Sequence, residues 1–250
     1  MGKRVSVIIL NYNGERFLRR LLLSLSKQTF RDFEIIFVDN ASTDNSIKIL
    51  RQSLQQKEFE DLNVKLVLNN QNFGYCAGNN IGAKYSQGEY LVFLNNDTYV
   101  SPKWLEELVK VLDEHPSIGV CQSKLLFAKT CKIQTIGNAC DLFGRSGPCI
   151  NDDVVVQGGV LFKGFFYASG AAFIIRREVF DKCRGFDEKL TYGDCDLSWR
   201  VRLCGYNIAT ALRSKCYHFG SYATKRVFPA TIQSFNVYYF QRICCYGCTG

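Results

Sequence analysis

The feature that most restricts what this chain can become is an alternation in its first hundred residues. Four short runs rich in β-branched and aliphatic residues, "RVSVIIL" (Arg4 to Leu10), "FEIIFVD" (Phe33 to Asp39), "VKLVLN" (Val64 to Asn69) and "EYLVFLN" (Glu89 to Asn95), are separated by stretches of helical periodicity. Runs of this kind suit the interior of a parallel sheet covered on both faces. The intervening segments are Arg16 to Lys27, with leucines at 18, 21, 22 and 25, then Asp44 to Gln56, then Cys76 to Tyr85. The order predicts an α/β fold with a doubly wound, mostly parallel central sheet and helices on both faces.

In such sheets ligands gather beyond the carboxyl ends of the strands. The first run is followed by Asn11-Tyr12-Asn13-Gly14, the second by Asp39-Asn40-Ala41-Ser42-Thr43-Asp44, the third by Asn69 to Gly74, and the fourth by Asn95-Asn96-Asp97. Four ends rich in Asn, Asp, Gly and Tyr are the expected lining of a nucleotide crevice. Further on, "SPKWLEELVKVLDEHP" predicts a helix with Ser101 at its cap and Pro102 at its first position. "GFFYASGAAFIIRREVF" predicts a buried strand and a short helix from Arg177, and "GDCDLSWRVRLCGYNIAT" a helix ending at Gly205 before another strand.

Several function classes lack support. No GxGxxG follows the first strand and no GxxxxGK[ST] occurs, against a dinucleotide oxidoreductase or a P-loop enzyme. The "NYNGERF" loop lacks the glycine-rich, basic character that grips a triphosphate, against a nucleotidyltransferase. No run approaches the roughly 18 apolar residues of a membrane span and no export signal opens the chain, so a cytoplasmic location is expected. The twelve cysteines then read as reduced thiols. Lysines and arginines exceed acidic residues, 31 against 23, a net charge of +8 that favours anionic partners. Without a basic helix or known module, nucleic acid is not expected among them.

Gly74, Gly78 and Gly82 recur every four residues. For Gly82 tight helix–sheet packing is the simpler reading; for Gly74 and Gly78, beside Asn72, Asn79 and Asn80, close approach of a ligand is the competing one.

"VSVIILNYNG", "FVDNASTDNS", "NNQNFGYCAGNNIGA", "EYLVFLNNDTYV", "ASGAAFIIRREVF", "GFDEKLTYGDCDLSWRVRLCGY" and "YHFGS" follow one another in an order that resembles family 2 inverting glycosyltransferases, especially the rhamnosyltransferase-like branch acting in cell-surface polysaccharide synthesis. The likeness runs from residue 4 to about 242. It implies a GT-A fold, a nucleotide-diphosphate sugar donor (UDP-, dTDP- or GDP-linked), and Mg²⁺ or Mn²⁺. It also implies a glycan or polyprenyl-linked acceptor. Residues 1–230 would form the transferase domain, nucleotide-binding to about 100 and acceptor-binding beyond, with a helical tail at 231–250 shorter than in relatives.

Residue by residue, the resemblance gives Asp39 a nucleobase contact, with Asn11, Tyr12 and Asn13 walling the base; a cap or turn role competes for Asp39. Asn72, Gly74, Gly78 and Asn79 would join this nucleotide site. Asn95, Asn96 and Asp97 occupy the DxD position: Asp97 would ligate the metal, while the two asparagines would reach ribose and phosphate. His218 in "CYHFGSY" would complete the metal site, with a half-buried structural histidine as the competing reading. Ser169, Gly170 and Ala171 would border the acceptor, with packing alone as the competing reading, and Lys225 and Arg226 could close over the diphosphate, with a solvated basic loop as theirs.

The resemblance also implies that Asp194 is the general base, with a plain N-cap role as the competing reading, while Asp196 is placed to pair with Arg200 four residues on. Gly193 stands where the family has a glutamate. That substitution, with Asn95 at the first metal position, motivates a second expectation, a non-catalytic sugar-nucleotide or glycan-binding module. The net charge and the aromatic stretch "FNVYYFQRICCYG" also suggest peripheral contact with an anionic membrane.

Overall fold

A computed structural model of the protein describes residues 3–140, 146–148, 156–157, 159–161, 167–190 and 193–220. Strands β1 (Val5–Asn11), β2 (Phe33–Asp39), β3 (Val64–Leu68) and β4 (Tyr90–Asn95) lie in the order β3-β2-β1-β4, every pair parallel. Helices α1 (Glu15–Ser26), α2 (Ser46–Leu54) and α3 (Gly74–Tyr85) connect them. The pleat sends Val5, Val7 and Ile9 into one buried cluster, with α1 and Leu50 of α2, and sends Ile8 into a second with Cys76 and Ala83 of α3. Both faces are therefore covered, which is why these strands carry no polar alternation.

The sheet continues through β5 (Thr98–Val100), β6 (Ile118–Phe127), β7 (Ile133–Thr135), β10 (Val156–Gln157), β11 (Val160–Leu161), β12 (Ala172–Arg176) and β13 (Asn207–His218); β8 (Asn138–Cys140) and β9 (Ser146–Pro148) pair separately. This half is mixed. β13 runs parallel to β6, but β12 is antiparallel to both of its neighbours, β4 and β6. The chain reaches β12 through Ser169–Ala171, already at the carboxyl end of β4, so it can enter the sheet only in the reverse direction. Helices α4 (Trp104–Glu114), α5 (Arg177–Lys182) and α6 (Gly193–Leu203) complete the layers, α4 beside α1 and the other two beside α3.

The start of the fourth helix differs from expectation. Helix α4 starts at Trp104, not at Pro102, and Ser101 does not cap it. Gln28 does so from a distance: its Oε1 accepts the Leu105 N–H at 3.0 Å while its Nε2 donates to the Ser101 carbonyl at 2.8 Å. Gln28 is 3% exposed, so the side chain satisfies the helix end inside the core, where water could not. Among the described residues no helix is long and apolar enough to cross a membrane. The tail from Thr231 to Gly250 and the Lys225-Arg226 pair lie outside the described residues.

Candidate active site

The carboxyl ends of β1, β2 and β4 are in register, Asn11 opposite Asp39 and Leu10 opposite Asn95, which brings their polar residues together. Asn11 is fully buried. Its Nδ2 donates to Asp39 Oδ1 at 2.9 Å and to Ser42 Oγ at 3.0 Å, and its Oδ1 accepts from Asn96 Nδ2 at 2.8 Å. With its amide thus occupied, Asn11 is a strut between the second and fourth strand ends rather than a wall of the crevice. Asp39, 3% exposed, also accepts from Ser42 N at 2.9 Å and Ser42 Oγ at 2.6 Å, a turn role that leaves little of its carboxylate facing outward.

Gly14 makes the strut possible. A side chain there would collide with the Asn96 amide and with Asn11 Oδ1. Gly14→Ala should therefore part Asn96 from Asn11 and strand a buried acceptor, lowering stability by about 1–3 kcal/mol in urea titration.

Around this strut Tyr12 and Asn13 are exposed. Asn13 has φ 52° and its Oδ1 accepts from Thr43 N at 2.8 Å, tying the first loop to the second. Asn40 links the second and third strand ends: it donates to Asn72 Oδ1 and to the Gly74 carbonyl, each at 3.1 Å, and accepts from Asn69 Nδ2 at 2.7 Å. Asn72 and Gly74 are exposed, and Gly74 has φ 80°, where a side chain would be strained.

Gly78 and Asn79 are different. A Cβ at Gly78 would stand 2.5 Å from Leu10 Cδ1, and buried Asn79 donates to the Tyr75 carbonyl at 3.0 Å. The Gly78 position thus answers to helix–sheet packing, as does Gly82 against Ile8. Leu10 and Ile8 point to that same face of β1, which is why glycines recur every four residues.

Asp97 and His218, 121 residues apart in the chain, meet because β5 pairs with β13 so that Thr98 faces His218. His218 Nε2 lies 3.2 Å from Asp97 Oδ1, both side chains being slightly exposed, 12% and 13%. Nδ1 of the same ring lies 3.1 Å from Gln134 Oε1, a contact that orients the ring with Nε2 turned towards Asp97. The sequence offered no signal for Gln134, which arrives through the pairing of β7 with β6. Among the described residues no cluster of three or more His, Cys, Asp or Glu side chains forms a self-sufficient metal cage. One carboxylate and one imidazole suit a hard or borderline divalent cation whose other positions are filled by ligand oxygens and water.

Asp194, in the first turn of α6, meets the bend that leads into β12. Its Oδ2 accepts from Gly170 N at 2.8 Å and its Oδ1 from Cys195 N at 2.9 Å. Burial pushes its pKa above the ordinary 3.8, partly opposed by those backbone hydrogen bonds. The bend Ser169-Gly170-Ala171 links the end of β4 to Asp194: the Ala171 carbonyl accepts from Asn95 N at 3.0 Å, while Gly170 N reaches Asp194. Ser169 N is held by buried Gln122 at 2.8 Å.

Beside Asp194, Gly193 leaves no room for a side chain, because Cys76 Sγ fills the space a Cβ would take. Cys76 Sγ donates to the Leu190 carbonyl at 3.1 Å, and burial pushes its thiol up to about 12, so it packs as an uncharged group. Asp196 is 1% exposed and pairs with Arg200, whose Nε donates to Asp196 Oδ2 at 2.9 Å.

The curled α/β sheet with helices on both faces is the GT-A fold. The superposable solved structures carry the same architecture. They include the mannosyltransferase PcManGT from Pyrobaculum calidifontis, in complex with GDP-Man and Mn²⁺ (TM-score 0.69, 20% identity, 90% of this chain and 59% of that one). GalNAc-T7 with UDP, GalNAc and Mn²⁺ superposes at TM-score 0.74 and 20% identity over 86% of this chain and 44% of that one. A family model for glycosyl transferase family 2 matches residues 6–135, and the chain belongs to that family.

Among its relatives, the O-antigen biosynthesis protein RfbC of Myxococcus xanthus is 31% identical over 232 residues, 87% of this chain and 17% of RfbC. The poly(ribitol-phosphate) β-N-acetylglucosaminyltransferase TarS of Staphylococcus aureus is 27% identical over 227 residues, 89% of this chain and 36% of TarS. The chain thus spans well under half the length of either relative.

Proposed function

We propose that the domain transfers a sugar, with inversion, from a nucleotide-diphosphate donor to a hydroxyl of a glycan or lipid-linked saccharide. The reading is carried by the Asp97–His218 pair together with the raised-pKa carboxylate of Asp194, whose partner Gly170 adjoins the Ala171 carbonyl that accepts from Asn95 N. Known relatives of similar fold bind GDP-mannose or UDP sugars, which supports such a donor. Asp97 and His218 would hold Mg²⁺ or Mn²⁺, which when bound neutralises charge growing on the departing diphosphate.

Asp194 Oδ2 or Oδ1 takes the proton of the acceptor hydroxyl as its oxygen attacks the anomeric carbon opposite the leaving group. The bond to the diphosphate breaks as the new glycosidic bond forms, so the configuration inverts. Burial makes Asp194 a stronger base than a solvated carboxylate, provided the working pH stays above its raised pKa. The Asn11–Asn96 strut and the Asn40 cluster hold the strand-end loops in fixed relation, and the exposed Tyr12 offers a face for the nucleobase.

A second reading, a sugar-nucleotide-binding module without turnover, is favoured by the Cys76-filled space at Gly193, which removes a side chain beside the base. Calorimetry with UDP and Mn²⁺ followed by a donor and acceptor screen separates the two. Metal-dependent UDP binding with transfer supports the enzyme; binding with no turnover supports the module.

Asp97→Ala and His218→Ala should each weaken Mn²⁺-dependent UDP binding by at least the roughly 10- to 100-fold seen when even outer-shell partners of a metal are removed. Equal UDP affinity with and without Mn²⁺ in the wild type would remove the metal from the proposal.

A further inference from the structure

We propose that Tyr75 is a positioning residue for Asp194, fixing through Gly170 the backbone N–H that aims the carboxylate. Gly170 is bound at both ends. Its N–H donates to Asp194 Oδ2 at 2.8 Å, and its carbonyl accepts from Tyr75 Oη at 2.8 Å. A Cβ on Gly170 would stand 2.7 Å from Tyr75 Oη and 3.2 Å from Asp194 Oδ2, so the three groups close on one another with no side chain between them.

A glycine is the residue most able to rotate, and a bound carbonyl removes that freedom where it matters. The flanking groups are already held, Ser169 N by Gln122 and the Ala171 carbonyl by Asn95 N. Removing the Tyr75 hydroxyl therefore releases Gly170 alone. The phenol is itself fixed, since its ring meets Phe186 edge-on at 5.6 Å between centroids. Tyr75 also follows Gly74, whose carbonyl is tied to Asn40. The base is thereby linked by hydrogen bonds to the strand-end loops on the nucleotide side.

Among the described residues the groups facing Asp194 are Tyr75 and Cys76 from α3; the bend contributes no titratable side chain, and on α6 Asp196 is paired with Arg200. Burial and the neighbouring Asp194 raise Tyr75 well above 10, and Cys76 stands at about 12, so both stay protonated while Asp194 titrates. The Gly170 hydrogen bond favours the ionised carboxylate, so loosening it raises the midpoint further.

The test is a carboxyl NMR titration of protein carrying ¹³Cγ-aspartate, with Asp194 assigned as the resonance lost in Asp194→Asn. Tyr75→Phe should move the Asp194 midpoint up by about one pH unit, a tenfold change in proton affinity. It should also lower kcat with the donor KM unchanged. Site-specific 3-fluorotyrosine at 75, a stronger donor on the same ring, should move the midpoint down and serves if the Phe variant folds poorly.

An Asp194 midpoint unmoved by either change overturns the role of Tyr75. The role rests on Asp194 as the base, but the titration needs no turnover. A shifted midpoint in a chain that transfers no sugar sinks the transferase reading alone, and an unshifted one in an active chain sinks only the positioning role.

Discussion

Asp194→Asn should cut sugar transfer by roughly 10²- to 10⁴-fold, the range that removal of a positioned general base costs, while UDP and Mn²⁺ still bind with nearly wild-type affinity. The asparagine keeps the shape of the side chain and can still accept one of the two backbone N–H groups that Asp194 now receives, from Gly170 and Cys195. It loses the charge. Because burial raises the pKa of Asp194, the ionised carboxylate is held in the fold at a cost at neutral pH, and the neutral amide offsets the hydrogen bond it forfeits. The melting temperature should therefore change little, which separates lost chemistry from lost structure.

The pH dependence follows with a definite sign. A base must be ionised, so kcat/KM of the wild type should rise with pH along an acid limb displaced above the ordinary carboxylate value of 3.8. A variant that retained most of its transfer rate, or a wild-type limb at or below that value, would remove Asp194 from the chemistry.

The second large effect concerns the fold beneath that base. Asp196→Ala should destabilise the protein by about 3–5 kcal/mol, because it leaves a buried guanidinium without its carboxylate. Arg200 is 8% exposed and Asp196 1%. Arg200 Nη1 also donates to the Cys183 and Gly185 carbonyls, the latter at 2.7 Å, so it cannot follow the lost partner into water without abandoning the turn after α5. For a chain of this size each kcal/mol shifts the melting temperature by about 2–4 °C. Thermal and urea unfolding of Asp196→Ala, and of Arg200→Met with Asp196→Leu, read the effect. The double variant, in which no charge stays buried, should recover much of the loss. A single variant within about 1 kcal/mol of wild type would mean that the pair is solvated.

Much of this was legible in the residues. Unbroken aliphatic runs such as "VSVIIL" mark strands buried on both faces, leucines at 18, 21, 22 and 25 mark one face of α1, and asparagines mark where strands end. Asp196 four residues before Arg200 announced its partner. What the sequence hid depends on contacts between distant residues. Asn11 looks like a ligand residue until the register of β1 with β2 and β4 is known, and only then is it a buried strut. Gln28 caps a helix that begins 76 residues later, in place of the local Ser101.

Gln134 behind His218 and Cys76 in the space beside Gly193 are likewise invisible to periodicity, since neither lies near its partner in the chain. The reversed direction of β12 follows from where the chain stands when it enters the sheet, which local residues do not record.

The central claim is that Asp97 and His218 hold a divalent ion against the donor diphosphate. Anomalous scattering from crystals grown with UDP and Mn²⁺ tests it most directly. The claim requires a manganese peak within the roughly 2.0–2.6 Å of a hard cation's ligands from an Asp97 carboxylate oxygen, the His218 Nε2 and the diphosphate. Manganese bound elsewhere, or UDP seated in the crevice with no ion between Asp97 and His218, would contradict it.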